Sequence, residues 1–144
     1  MLKRLLLIGS LAVVLVFAAL SQAAYTEPLS SERQSRSLGE VKQAILVATG
    51  YDPAAVELTA THVQFIVSLV NSKLAAGPAS PREVEASRIT AAIAGVITEM
   101  PEFKGIQAIH IAYVSRKPDG TASRIIDGID FRKDPQGKFQ HHMT

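Results

Sequence analysis

The sequence predicts an α+β fold, a two-layer sandwich of order helix–strand–strand–helix–strand–strand with an antiparallel sheet. Three observations point there. Apolar residues recur at helical spacing in two stretches, over about 38–49 and about 80–100. Other stretches, from Val56 and from Gly105, alternate with period two. A proline–glycine turn, Lys117-Pro118-Asp119-Gly120, divides the last two strands.

The chain opens with Lys3 and Arg4, then an apolar run from Leu5 to Leu20 broken only by Gly9 and Ser10. Ser21-Gln22-Ala23-Ala24 follows. A cut after Ala23 puts small residues, Ser21 and Ala23, at −3 and −1, where signal peptidase needs them. A cut one residue later would put the bulkier Gln22 at −3. The run of 16 residues is shorter than the roughly 20 that a spanning helix needs. Residues 1–23 are therefore expected to be a cleaved signal peptide, and the protein periplasmic or secreted. The competing reading is a leader retained as a membrane anchor.

Removing that leader leaves about 120 residues, the size of one domain. The chain has 15 basic and 13 acidic side chains, a net charge of +2. Lys3 and Arg4 leave with the leader, so the mature part is formally neutral. That removes the positive field that nucleic acid would require. There is no cysteine, hence no disulfide framework and no bacterial lipid attachment.

Residues 24–36 are polar and unpatterned, a flexible lead-in to a single domain over 37–144. Ser37-Leu38-Gly39-Glu40 has capping-box spacing, and Val41, Ala44, Ile45 and Ala48 form one helical face. Gly50 suits a left-handed C-terminal residue, and Pro53 prevents continuation. Val56, Leu58 and Ala60 alternate with polar residues, and Val63 to Val70 follows as a more central strand. A turn near Ala60–His62 would pair them as a hairpin; one long bent strand, or a helix over 61–74, is the alternative. Ser80-Pro81-Arg82-Glu83 marks a helix start. Ile89, Ile93, Val96, Ile97 and Met100 line one side, with Glu85, Arg88 and Glu99 on the other. Strands are expected over 106–114 and 123–132, with Ile125, Ile129 and Phe131 facing one way and Asp127 between them. Residues 138–142, after the Asp134-Pro135-Gln136-Gly137 turn, form an edge strand or a tail.

Few residues invite chemistry. His110 lies mid-strand between apolar neighbours, and His62 lies at the hairpin turn. His141 and His142 point to opposite faces if they lie in a strand, so they could not share an ion. Asp127 and Asp130 also fall on opposite faces, whereas paired acid–base carboxylates must converge. Asp127 could pair with Arg116 across the hairpin. No catalytic, cofactor or metal residue is assigned, because no zinc-type spacing, nucleophile elbow or phosphate-cradling loop is present. The lysines and arginines from 116 to 138 are interleaved with acids and read as a solvated sheet edge.

Val56-Glu57-Leu58-Thr59, Val63-Gln64-Phe65-Ile66-Val67-Ser68-Leu69, the 80–100 helix and the 106–114 strand resemble the element order of bacterial BON domains. The resemblance spans half the mature chain and implies a periplasmic module that binds membranes or other envelope components. Ala60-Thr61-His62 replaces the glycine turn of that family, and the strand at 123–132 is additional. The expected function is a small exported non-catalytic domain that binds an envelope component or a protein partner, without a cofactor. A small exported enzyme using His110 or Asp127, and an anchored accessory protein, are the alternatives.

Overall fold

The computed structural model describes residues 31–143. The expected signal peptide and residues 24–30 lie outside the described residues. Helix α1 spans Ser31–Thr49. It starts earlier than the capping-box spacing suggests, because Glu32, Arg33 and Gln34 are good helix formers and Glu32 sits at the positive end of the helix dipole. Ser37 is consequently inside the helix and buried, and its hydroxyl donates to Glu102 Oε1 instead of capping. The stretch 31–36, expected as lead-in, is helical. Gly50 ends the helix in the left-handed region, φ 72°, with its N–H on the Leu46 carbonyl.

Strands β1 (Val56–Ala60) and β2 (Gln64–Val70) form the expected hairpin. Its turn needs no glycine, since Thr61 Oγ1 accepts from the N–H groups of Val63 and Gln64. Helix α2 spans Ala79–Ile97, with Pro78 rather than Ser80 at its N-cap. A short 3-10 turn, Pro101–Phe103, leads to β3 (Ala108–Arg116), β4 (Ser123–Lys133) and an edge strand β5 (Phe139–His142).

The five strands make one sheet in the order β1-β2-β3-β4-β5. It is mixed, not purely antiparallel. β2 and β3 pair in parallel, from Gln64↔Ala108 to Val70↔Val114, and the other pairs are antiparallel. The cause is the connection. A helix of 19 residues spans about 28 Å and returns the chain to the end where β2 began, so β3 must run the same way.

One face of the sheet carries Val56, Phe65, Val67, Leu69, Ile109, Ile111, Tyr113, Ile129 and Phe131, all buried. They share a core with Val41 and Ile45 of α1 and with Ala86, Ile89, Ile93 and Ile97 of α2. The described residues from Gln34 onward form one compact unit. β4 departs from simple alternation: the register shifts between Tyr113 and Val114, so that Tyr113 opposes Asp127 but Val114 opposes Ile125. The extra residue turns Ile125 to the face opposite Ile129, where it is exposed. Ile125, Ile129 and Phe131 therefore do not share a face.

Candidate functional site

The residues singled out in the sequence do not converge. His110 and Asp130 are cross-strand partners on the face away from the core, with His110 Nδ1 2.8 Å from Asp130 Oδ1. Gly128 leaves room for the ring, since a Cβ there would lie 2.8 Å from His110 Cε1. Asp127 opposes Tyr113 on the core face. The two candidates of the enzyme alternative thus stand on opposite faces of the sheet. His141 opposes Phe131 and His142 opposes Asp130, so that pair is also split between faces. His62 is exposed in the hairpin turn. Among the described residues, no three His, Asp or Glu side chains are placed to hold a metal ion.

Asp127 does not reach Arg116. Arg116 instead forks onto Glu57, at 2.5 and 3.1 Å, and that hydrogen-bonded contact holds the Glu57 carboxyl below its ordinary range. Asp127 accepts from Arg82 Nε of α2 at 2.8 Å. Arg82 is buried, and its Nη1 donates to the carbonyls of Leu74 and Gly77, at 3.1 and 2.5 Å. One turn on, Glu85 accepts from two phenols, Tyr51 and Tyr113, each at 3.0 Å. With the Tyr51 proton committed to Glu85, Ser72 donates to the Tyr51 oxygen at 2.6 Å. Sequence reading puts Glu85 on the solvent side of α2, but the fully buried Tyr113 draws it inward. Each hydrogen-bonding demand here is met from within the chain, which marks a structural network.

That network sets an alkaline limit. Burial pushes the Tyr113 hydroxyl above its ordinary 10.0, with the Glu85 charge adding to it, and burial raises Tyr51 too. A raised folded-state pKa means that the unfolded chain loses its protons first. Stability is therefore full below about pH 10 and falls as the pH rises past it. Thermal melts between about pH 9 and about pH 11 should show a steeper fall of Tm in the wild type than in Tyr113→Phe. Parallel curves would contradict this account.

The concave site lies elsewhere, between α2 and the β4–β5 hairpin. Two adjoining cavities, of about 320 and 380 Å³, share Ala94, Gly137 and Phe139. One side is Ser87, Thr90, Ala91, Ala94 and Thr98, at helical spacing beside the buried stripe of α2. These small side chains leave the space open. The other side is Phe131, Phe139, Gln140 and His141, with Lys133 and Lys138 at the hairpin. Ile97, Phe103 and Lys104 close one end. Asp134 holds the turn between the strands by accepting from the N–H groups of Gln136 and Lys138, at 2.9 and 2.8 Å. Three lysines and a histidine line this trough, and no carboxylate does. Lys133 Nζ stands 5.3 Å from the centre of the Phe139 ring.

Beneath the wall of the trough lies an unmet hydrogen bond. Thr90 is 4% exposed, and its hydroxyl is the one buried side-chain oxygen or nitrogen without a partner among the described residues. An unpaired buried hydroxyl costs about 1–3 kcal/mol. Thr90→Val, nearly equal in shape, should therefore raise stability by about 1 kcal/mol, read as a higher urea midpoint. A destabilised variant would show that the hydroxyl has a partner in the free protein.

No protein-family model matches this chain, and neither does any curated protein or solved structure. The resemblance to BON domains thus stays a likeness of element order and assigns no family. Among the described residues, no helix is long and apolar enough to cross a membrane.

Proposed function

We propose that this chain is an exported, non-catalytic binding module that holds an envelope component in the trough between α2 and the β4–β5 hairpin. The observation that carries the reading is the trough itself: concave, lined by Ala94, Ile97, Phe103, Phe131 and Phe139, bordered by lysines and free of carboxylates. Binding sites combine an apolar surface with a few placed polar groups, and this trough has both. Export is supported by the Lys3-Arg4 start, the Leu5–Leu20 run and the small residues before Ala24. We also read the fold as two layers, with both helices on the Phe65–Ile111 face, because their apolar stripes join that core.

Two measurements test this. N-terminal sequencing of the protein isolated from its own cells should begin at Ala24; full-length protein in the cytoplasm would end the export reading. Mass spectrometry of small molecules that co-purify with the secreted domain should find a compound that is absent from an Ala94→Phe variant. Retention unchanged by that filling would place binding outside the trough.

The His110–Asp130 contact favours a second reading, a small exported enzyme with His110 as proton carrier. A carboxylate that orients a histidine is a common arrangement in such sites. His110→Ala would leave a binding module functional and disable that enzyme.

A further inference from the structure

We propose that the trough takes a single-chain amphiphile with an anionic head, of the fatty-acid class. The proposal rests on the trough being the binding site and names the chemistry of its ligand. The two lobes differ. One has Thr90, Lys138 and His141 around Phe131 and Ala91. The other has Ile97 and Phe103 beyond Ala94, with Phe139 between the lobes. A head group in the first lobe faces the Lys138 ammonium, with His141 beside it. Charge-assisted hydrogen bonds with that ammonium favour an anion over a neutral head. The tail then runs past Ala94 and Phe139 toward Ile97 and Phe103.

The rest of the rim is also cationic. Lys104 and Lys133 border the second lobe, and Asp134, next to Lys133, has its carboxylate occupied by turn amides. No fixed negative side chain lining the trough would repel the head. The volumes, about 320 and 380 Å³, suit a small molecule, at the lower end of the roughly 300–1,000 Å³ typical of such sites.

Calorimetric titration of the domain with decanoate and with decanol tests this. Decanoate should bind at least about tenfold more tightly than decanol. Lys138→Gln should weaken decanoate about tenfold and leave decanol unchanged. Ala94→Phe, which fills the junction of the lobes, should abolish both; if it does not fold, Ala91→Leu serves in its place. Equal binding of decanoate and decanol, both lost in the filled variant, would overturn the anionic head while leaving the trough as the binding site. No binding, or binding that survives the filled variant, would overturn both the ligand class and the site.

Discussion

Arg82→Ala should cost about 3–4 kcal/mol of folding stability, a large share of the roughly 5–15 kcal/mol that holds a domain together. Arg82 is 9% exposed and joins three parts of the chain. Its Nε meets Asp127 at the β4 bulge, and its Nη1 meets the carbonyls of Leu74 and Gly77 in the loop before α2. Removing the guanidinium leaves Asp127 partly buried without its counter-charge and strands both carbonyls. The Asp127 side chain is 30% exposed, so water recovers part of the loss. For that reason the lower part of the range for broken buried pairs applies. Arg82→Met with Asp127→Leu should be less damaging than Arg82→Ala alone, because no charge is then left unpaired. Denaturant melts of the three variants check this. A loss under about 1 kcal/mol in Arg82→Ala would show that the network contributes little.

Phe65→Ala should be comparably severe, about 3–5 kcal/mol. Phe65 is fully buried on β2, beside Ala60 of β1 and Ile109 of β3. Its ring meets Phe103 edge-on, with centroids 4.9 Å apart and planes at 63°. Such a pair adds about 0.5–1.5 kcal/mol to the apolar burial. The loss also has a position. Phe103 lies in the 3-10 turn that carries the chain from α2 to β3, and it lines the end of the trough. A cavity at Phe65 therefore loosens the site as well as the core. Urea midpoints should report the loss, and a change below about 1.5 kcal/mol would mean that the core closes over the cavity.

How much of this was legible in the sequence depends on whether a feature is local. Gly50, the Lys117–Gly120 turn and the Asp134–Gly137 turn are visible because a backbone requirement selects the residue on the spot. The period-two stretches and the α2 stripe are visible because burial repeats along one element. Parallel pairing of β2 with β3 is not, since it follows from where a long connection delivers the chain. The bulge that turns Ile125 outward is not, because only the β3 register reveals it.

The polar sites were hidden for a further reason. Arg82 and Glu85 look like the solvent face of α2, and their burial depends on Tyr51, Tyr113 and Asp127 from other elements. Ser87, Thr90, Ala91 and Ala94 look like an ordinary polar or small-residue face until the β4–β5 hairpin stands opposite. The late basic residues looked evenly mixed with acids. Side-chain alternation separates them, so that Lys133 faces the trough while Asp130 pairs with His110 on the other side.

Our proposal turns on whether this domain binds through the trough or through the His110 face. A nitrogen–proton correlation spectrum of the labelled domain, titrated with decanoate, distinguishes the two. Shifts should concentrate at Thr90, Ala91, Ala94, Phe131, Lys138 and Phe139, with the amides of Ile66, His110 and Asp130 unmoved. Shifts centred on His110 and Asp130, or an unchanged spectrum, would contradict the proposal.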